Sequence, residues 1–363
     1  MTTNRPDSKQ LFQSKDLSLS TQRHFCNHNK HVEACRGKRV QQQSQNIDLT
    51  ERRLPDFIVC GAPKCGTTSL HFILNQHPDI SIPDPELLFF DADDPMTHSD
   101  FFFVKDGLLR WIDVRRSAHE GWNAYLKNLE ELPPTKFTGE DSTTYIMSES
   151  APIRILESLP DVKLLFMLRH PVERAYSQYW HLVKTGRLTC TFEKAIFEQR
   201  SIILGSTYSS HIQRYIDLFG RDRILVETLE SLKRDTQATM NRVTDFIGAE
   251  RIDTQSAQTW FNKTYYPSSL SGQLALNQIG KHFVRLRYYN HSRGKEGLGG
   301  KIARKLHHLW FQGPSEIFLK RTTPLPMKPE TKAYLLQHLS ARNAGLSNLL
   351  GFDFTSIWDG MDC

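Results

Sequence analysis

Residues 61–68, with the sequence Gly-Ala-Pro-Lys-Cys-Gly-Thr-Thr, form the segment of the chain best suited to bind an anion. They follow residues 57–60, an apolar run typical of a buried strand, and they precede a helical pattern. A loop between a strand and a helix can direct backbone N–H groups and the positive helix end toward an anion. The loop departs from the triphosphate-binding pattern G-x-x-x-x-G-K-[ST], because Thr67 follows Gly66 and the lysine, Lys64, stands inside the loop.

A second charged segment follows the apolar run at residues 162–168. This run is followed by Arg169 and not by an Asp that could hold a metal. The segment therefore lacks the magnesium ligand that binding of a nucleoside triphosphate usually requires. Arg169 offers a fixed charge and a planar fork for an anionic group. We expect Arg174, on the helical pattern that follows, to be a helix-surface charge. The two segments together predict an anionic ligand and no metal.

Both segments resemble the sulfotransferases that use 3′-phosphoadenosine 5′-phosphosulfate (PAPS). Residues 63–68 match the pattern P-K-x-G-T-T of the family's 5′-phosphosulfate loop, and residues 163–177 are similar to its 3′-phosphate element. The resemblance implies that Lys64 is catalytic, since its charge would stabilise the leaving phosphate, and that the product is adenosine 3′,5′-bisphosphate (PAP). The nucleotide-binding residues that it implies are Lys64, Cys65, Gly66, Thr67, Thr68, Arg169, Ser177, Tyr208, Arg293, Gly294 and Lys295.

Residues 85–91, Pro-Glu-Leu-Leu-Phe-Phe-Asp, are similar to the heparan- and carbohydrate-type branch of the family and to related bacterial enzymes. In that branch the position of Glu86 holds the general base, and the reaction needs one because the acceptor hydroxyl must lose its proton as it attacks sulfur. A surface acid is the alternative interpretation of Glu86, and His98 is an alternative base. Pro85 stands where relatives often carry Lys. Residues 139–145 resemble the family's G-E-x-S-x-x-Y stretch near the acceptor.

Further apolar runs, each followed by a helical pattern, predict the elements that position these residues. Strands alternate with helices, which is typical of a parallel sheet covered on both faces. We therefore predict an α/β fold with a central parallel sheet flanked by helices and a P-loop-like architecture. The predicted helices are residues 67–76, 172–185, 229–247 and 328–350. We interpret His77 and His170, which stand near the motifs, as loop or structural residues.

Composition and charge narrow the class of protein further. The 363 residues are 39% hydrophobic and 24% charged, and no apolar run approaches the length of a membrane helix. The net charge of +6 is unevenly distributed along the chain. The N-terminal segment and a segment at about 265–320 are basic, while the rest of the chain is acidic. The six cysteines have irregular spacing without a zinc pattern, so we expect free thiols, with Cys60 packed as a small hydrophobe. We predict a disordered leader at 1–53 and one catalytic domain at 54–363.

The basic, Gly-containing segment at about 265–320 has three interpretations. Residues 292–297 resemble the family's loop over the nucleotide 3′-phosphate, which is why Arg293, Gly294 and Lys295 are included above. The segment could equally be a solvated excursion, or residues 301–311 could contact a membrane surface as an amphipathic helix. No nucleic-acid recognition motif accompanies the basic residues, so we expect no nucleic-acid partner.

The sequence thus predicts transfer of the sulfuryl group of PAPS to a hydroxyl, or less favourably an amine, of a carbohydrate or small molecule. A kinase-like nucleotide enzyme and a non-catalytic nucleotide-binding relative are the alternatives. Lumenal carbohydrate sulfotransferases carry an N-terminal membrane anchor and often a C-terminal disulfide, and neither is evident here. We therefore expect a soluble, cytoplasmic enzyme. The acceptor and the oligomeric state do not follow from the sequence.

Overall fold

The computed structural model describes residues 49, 51–99, 102–111, 118–254, 265–291, 302, 305–306, 308–310, 313 and 316–363. Its strands are β1 (Phe57–Gly61), β2 (Ile80–Ser81), β3 (Phe102–Lys105), β4 (Leu108–Trp111), β5 (Phe137–Asp141), β6 (Lys163–Leu168), β7 (Ile224–Thr228), β8 (Tyr266–Pro267) and β9 (Leu319–Arg321). The central sheet has the order β2-β5-β1-β6-β7, and all of its pairs are parallel. β3–β4 and β8–β9 are separate antiparallel pairs.

The helices cover the sheet and bury its strands. They are α1 (Thr67–Leu74), α2 (Ala118–Glu130), α3 (Ala151–Ser158), α4 (Pro171–Lys184), α5 (Phe192–Glu198), α6 (Arg200–Leu204), α7 (Tyr208–Phe219), α8 (Leu229–Arg234), α9 (Thr236–Ile247), α10 (Leu270–His291), α11 (Pro329–Asn343) and α12 (Leu346–Leu350). Every residue of β1 is buried, which explains why its sequence is apolar without alternation. The predicted α/β fold with a helix-flanked parallel sheet is confirmed.

The strand register brings the chemically interesting strand ends to one edge of the sheet. Val59 of β1 lies opposite Asp141 of β5 on one side and Leu165 of β6 on the other. The carboxyl ends of parallel strands meet at the same edge. The loop after Gly61, the end of β5 and Arg169 after β6 are therefore neighbours.

Two of the predicted helices are wrong in extent. The helix predicted at 229–247 is two helices, because the Asp235 side chain accepts a hydrogen bond from the backbone N–H of Ala238 (2.9 Å) and so starts α9 afresh. The helix predicted at 328–350 is likewise divided into α11 and α12 at Gly345, whose φ is +83°. Such a left-handed backbone ends a helix and favours glycine.

The segment predicted as a basic insertion contains the longest helix of the described part of the chain. α10 has 22 residues and is anchored by the fully buried Gln273 and the nearly buried Asn277. The Asn277 side-chain amide donates to the carbonyls of Val183 (2.8 Å) and Leu188 (2.7 Å) at the end of α4. This part of the segment is integral to the fold. The start of α10 is therefore packed against the end of α4, and the interpretations of the rest of 265–320 stay predictions.

The ordered body begins before Leu54, where the predicted leader was expected to end. The Arg53 guanidinium donates to Thr138 Oγ1 (2.7 Å), to the Leu132 carbonyl (2.8 Å) and to Ser81 Oγ (2.8 Å). Arg53 thus fixes the chain to the edge of the sheet, and the predicted boundary is corrected to a point before this residue. Among the described residues, no helix has the length and apolar character that a membrane span requires.

Candidate active site

The loop of residues 61–68, called here the anion loop, has a backbone that side chains rarely tolerate. Gly66, directly before α1, has φ +89° and Lys64 has φ +71°, both in the left-handed region. A Cβ added at Gly66 would lie 2.6 Å from the Leu229 side chain. Because Gly66 provides no capping side chain, the first N–H groups of α1 lack a side-chain cap. Such uncapped N–H groups are suited to bind an anion.

Arg174 is fully buried, so the prediction of a helix-surface charge is wrong. Its Nε donates to the Pro63 carbonyl inside the anion loop (3.0 Å). Its Nη1 donates to the carbonyls of Ser201 (2.8 Å) and Ile202 (3.0 Å). A buried guanidinium needs such partners, since its desolvation would otherwise be costly. Arg174 therefore ties the anion loop to α4 and α6.

Cys65 and Tyr208 connect the anion loop to Arg169, and both side chains are fully buried. The Tyr208 hydroxyl donates to the Arg169 carbonyl (2.8 Å) and lies 3.8 Å from Cys65 Sγ. Burial raises the pKa of the Cys65 thiol to about 11, so the thiol stays protonated at neutral pH. Direct contact of these two residues with a nucleotide stays a prediction, while the geometry gives their side chains a positioning role.

Lys64 of the anion loop and four basic side chains whose charges act on Lys64 or on His181 form what we call the cationic cluster: Lys64, Arg169, Arg174, Lys184 and Arg187. Burial, and then the neighbouring cations, lower the pKa of Lys64. Burial and the cluster together lower the pKa of His181 to about 3, which leaves its imidazole neutral. Electrostatic repulsion between partly buried cations is unfavourable unless an anion binds beside them. The cluster therefore indicates a site for a multiply charged anion.

Arg169 and Ser177 lie where the predicted 3′-phosphate element places them, after β6 and on α4. Arg169 Nη2 is 3.6 Å from Glu173 Oε2, and the side chain remains 23% exposed, so an anion can reach the guanidinium. Ser177 is half-buried. The other predicted nucleotide contacts, Arg293, Gly294 and Lys295, lie outside the described residues.

Glu86 lies opposite the carboxyl end of β5, where Thr143 holds its carboxylate. Thr143 Oγ1 donates to Glu86 Oε1 (3.1 Å), and the Thr143 N–H donates to Oε2 (3.4 Å). The residue as a whole is exposed, while its carboxylate is held against the protein by Thr143. Burial of the carboxylate, and then the charge of Asp141, raise the pKa of Glu86 to about 7. A carboxylate that titrates near neutrality is suited to general-base chemistry.

Asp141, at the end of β5, is a site residue that the sequence analysis missed. Its Oδ2 lies 3.4 Å from Nδ1 of His71 on α1, and its Oδ1 is buried without a hydrogen-bond partner. Burial raises the pKa of Asp141. The exclusion of a metal-holding Asp rested on the end of β6, whereas the sheet order also puts the end of β5 beside the anion loop. That exclusion was therefore incomplete.

Glu140 organises a buried hydrogen-bond network behind Glu86. Three hydroxyl groups donate to its carboxylate, those of Tyr125 (2.5 Å), Tyr145 (2.6 Å) and Ser142 (2.8 Å). Burial raises the pKa of Glu140 to about 7 although these donors favour the charged form. Ser142 Oγ and Tyr145 Oη in turn accept from the backbone N–H groups of Leu88 (2.9 Å) and Phe89 (2.9 Å). The network thus fixes the segment that follows Glu86.

The histidines near the site have internal partners. His98 is buried with Nε2 2.8 Å from Asp91 Oδ1, and its role as an alternative base stays a prediction. His77 Nε2 lies 2.8 Å from the Glu250 carbonyl, and His170 caps the start of α4, so both are structural as predicted. Among the described residues there is no group of three or more metal-ligating side chains.

A cavity of about 430 Å³ lies beside the turn at Tyr145–Met147. Its polar lining includes Asp93, Asp94, Glu149 and Arg154, and Arg154 forms an ion pair with Asp93 (2.5 Å). None of the predicted site residues lines this cavity. It does not therefore represent the donor site around the anion loop.

The site and the fold together indicate a class of protein. A parallel sheet whose central strand leads into a cation-lined anion loop is typical of enzymes that transfer phosphate-like groups. The chain matches the model of the sulfotransferase domain over residues 54–274, which is more than half of its length. The chain belongs to the sulfotransferase domain family.

Relatives and a solved structure agree with this membership. Heparan sulfate glucosamine 3-O-sulfotransferase 3A1 from Mus musculus is 28% identical over 227 residues, which cover 60% of this chain and 51% of the relative. Bifunctional heparan sulfate N-deacetylase/N-sulfotransferase 2 from Homo sapiens is 30% identical over 217 residues, 54% of this chain and 22% of the relative. The chain therefore spans about half, or less, of the length of these relatives.

The fold is also found in a solved bacterial sulfotransferase. The structure of a sulfotransferase from Alicyclobacillus acidocaldarius aligns with a TM-score of 0.53 at 22% sequence identity, covering 84% of this chain and 98% of that chain. At this level of identity the likeness shows the shared fold, and it assigns no acceptor.

Proposed function

We propose that the chain transfers the sulfuryl group of PAPS to an acceptor hydroxyl, with Glu86 as the general base. The observation that carries the proposal is the contact between the two halves of the site. A Cβ added at Gly61, three residues before Lys64, would lie 2.3 Å from the Thr143 carbonyl oxygen, and Thr143 holds Glu86 (3.1 Å). A loop for an anionic donor and a carboxylate with a near-neutral pKa are thus directly adjacent.

The residues present fit a PAPS-sized anion on the donor side. The uncapped start of α1 offers N–H groups from Thr67 and Thr68, and the cationic cluster supplies positive charge. Arg169 would hold the 3′-phosphate, with Ser177 as a further donor. PAPS supplies an activated sulfuryl group, which requires no metal.

The chain's own residues then account for the remaining chemistry. Glu86, when deprotonated, would take the proton of the acceptor hydroxyl as the oxygen attacks sulfur in line with the leaving phosphate. Lys64, held in the left-handed backbone conformation (φ +71°), would stabilise the negative charge that develops on that phosphate. Thr143 and the Glu140 network would keep the Glu86 carboxylate oriented.

The acceptor is proposed as a hydroxyl of a carbohydrate or a small molecule. The names of the relatives describe sulfation of heparan sulfate, and their match to this chain supports a sugar-like acceptor. An amine acceptor is the less favoured form of the same proposal. The cytoplasmic location also stays a prediction.

A magnesium-dependent kinase-like activity is the second candidate, and Asp141 is the observation in its favour. A carboxylate at the end of the strand beside an anion loop is a common magnesium ligand in nucleoside triphosphatases. Two features oppose it. His71 Nδ1 lies 3.4 Å from Asp141, and the position after Gly66 is Thr67 and not lysine.

Donor competition distinguishes these functions. The full chain is incubated with PAPS carrying labelled sulfate, or with γ-labelled ATP and magnesium, and with a panel of sugars, phenols and alkaloid-like molecules. We expect label on an acceptor only from PAPS, with chelator present and no loss of rate. Transfer from ATP that needs magnesium would establish the kinase-like activity, and PAP binding without any transfer would indicate a non-catalytic relative.

A further inference from the structure

The surface around α10 exposes several large apolar side chains. On α10 itself, Ile279 is 55% exposed. The described residues 302, 305–306 and 308–310 are helical, and three of them, Ile302, Leu306 and Leu309, are 54%, 43% and 56% exposed. Single apolar side chains are common on protein surfaces, whereas a group of them indicates a contact surface.

Close packing at two glycines of α10 brings these side chains to one surface. A Cβ added at Gly280 would lie 2.7 Å from the Trp310 indole nitrogen, and a Cβ at Gly272 would lie 2.6 Å from the Phe318 ring. Residues eight apart lie on the same side of a helix, so Trp310 and Phe318 pack along one side of α10. The exposed apolar residues around these contacts form what we call the apolar face: Ile279, Ile302, Leu306, Leu309 and Ile317.

Basic residues border the apolar face. Residues 265–320 contain nine lysines and arginines and two acids. Within the part of the chain that the structure describes, Lys305, Lys320 and Arg321 are exposed. Positions 302, 306 and 309 have the i, i+4, i+7 spacing of one helix face, and Lys305 falls at the edge of that face on the same period. The surface therefore combines an exposed apolar stripe with a basic edge.

This combination distinguishes between possible partners. A second copy of the chain would bring two basic surfaces together, which is repulsive. An anionic polysaccharide would bind the lysines but would leave the isoleucine and leucine side chains in water. An anionic lipid surface matches both features, because apolar side chains enter the boundary of the acyl chains while lysines contact the headgroups.

We propose that the apolar face docks the chain onto membranes that contain anionic lipids. The match to the sulfotransferase domain ends at residue 274, so the face lies beyond the part of the chain that defines the family. Asn277 connects α10 to the end of α4 through the carbonyls of Val183 (2.8 Å) and Leu188 (2.7 Å). Docking would therefore hold the proposed active site close to the lipid surface.

The first test measures cosedimentation of the full chain with vesicles. One set contains phosphatidylcholine alone, and the other contains phosphatidylcholine mixed with phosphatidylserine. We expect binding to the anionic vesicles to be at least about tenfold tighter. Added salt should weaken this binding, because it screens the attraction between the lysines and the headgroups.

Substitutions assign the binding to the apolar face. Leu306→Glu with Leu309→Glu should weaken binding to anionic vesicles by at least about tenfold, because two apolar groups become charged. Ile153→Glu with Phe197→Glu is the matched control, since these side chains are 50% and 74% exposed on α3 and α5 and the change in net charge is the same. The control should bind within about twofold of wild type.

A second pair of substitutions tests the basic edge without altering the apolar residues. Lys305→Gln with Lys320→Gln should weaken binding to anionic vesicles by about threefold or more. Thermal unfolding of each variant shows whether the fold is retained.

Several results would overturn the inference. They are equal binding to both kinds of vesicle, no binding to either kind, and equal binding by the Leu306→Glu/Leu309→Glu variant and its control. Self-association through the apolar face without vesicle binding, or binding of a heparin oligosaccharide without vesicle binding, would also overturn it. None of these measurements depends on sulfuryl transfer, so failure of the inference leaves the proposed function standing.

Discussion

At the scale of single residues, the proposed reaction depends on the charge state of Glu86. Burial and Asp141 raise its pKa, while the hydrogen bonds from Thr143 lower it, and the balance is a value of about 7. The folded chain therefore holds this proton more tightly than the unfolded chain does. Stability due to this group falls as pH rises from about 4.5 to about 7. Activity should change in the opposite direction, since the base acts when deprotonated.

The pH profile of kcat/KM gives the first prediction. The rate should rise with pH through an apparent pKa near 7. Thr143→Val removes a hydrogen bond that favours the charged carboxylate, so it should move this limb to higher pH. Asp141→Asn removes a repelling charge and should move it to lower pH.

Assays of sulfate transfer from pH 5 to 9 measure the apparent pKa of each variant. We expect this apparent pKa to shift by about half a unit to one unit. If both variants move the limb in the same direction, or neither moves it, Glu86 is not the group that titrates.

At the scale of elements, the structure assigns the rigidity of the anion loop to α4 and its buried Arg174. The guanidinium contacts the loop and α6 through hydrogen bonds of 2.8–3.0 Å. A Cβ on Gly205 would lie 2.4 Å from this guanidinium, so the packing around it leaves no room. The loop is thus preorganised by a residue that need not touch the ligand.

Arg174→Met should accordingly reduce both stability and donor binding. We expect a loss of about 3 kcal/mol in the free energy of unfolding, because buried carbonyls lose their donors. We also expect at least about tenfold weaker binding of PAP. Arg251→Met is the matched control, since Arg251 is 63% exposed and pairs with Asp245 at the surface, and it should leave the free energy of unfolding nearly unchanged.

Urea denaturation and calorimetric titration with PAP measure the two effects. Arg174→Met with wild-type stability would show that the guanidinium contacts do not hold the loop.

The helices and strands also show which parts of the site could be predicted from the sequence alone. The anion loop and β6 with Arg169 were predictable, because each belongs to a local pattern of strand, loop and helix. The segment with Glu86 was singled out only by its resemblance to the sulfotransferase family. Arg174 was misassigned although it lies three residues after Pro171 and so shares the buried face of α4. Asp141 depended on the sheet order, which puts β5 beside β1 and cannot be read from spacing.

At the scale of the whole molecule, helix α11, in the C-terminal part of the chain, stabilises a site that lies far away in sequence. The fully buried Asn343 accepts a hydrogen bond from the Tyr208 N–H (2.7 Å) and donates to the Ser206 carbonyl (2.9 Å). Tyr208 begins α7 and donates to the Arg169 carbonyl (2.8 Å). The end of the chain is therefore connected to the predicted 3′-phosphate element.

Asn343→Ala should weaken this connection. The loss of the Asn343 side-chain hydrogen bonds, which leaves the buried Tyr208 N–H unsatisfied, should cost about 2 kcal/mol in the free energy of unfolding. PAP affinity should fall by about threefold or more, since Arg169 loses support. Asn128→Ala, on the exposed face of α2, is the control. Thermal unfolding and PAP titration measure both quantities, and equal values for the two variants would contradict the connection.

In the proposed reaction the anion loop and the cationic cluster bind the sulfuryl donor, and Glu86, a separate group, acts as the base. The most direct test measures labelled sulfate transfer from PAPS and PAP affinity on the same preparations of the wild-type chain and of Glu86→Gln. We expect the PAP affinity of Glu86→Gln to stay within about twofold of wild type and its transfer rate to fall by about 10²–10⁴-fold. Transfer by Glu86→Gln at the wild-type rate would exclude Glu86 as the general base.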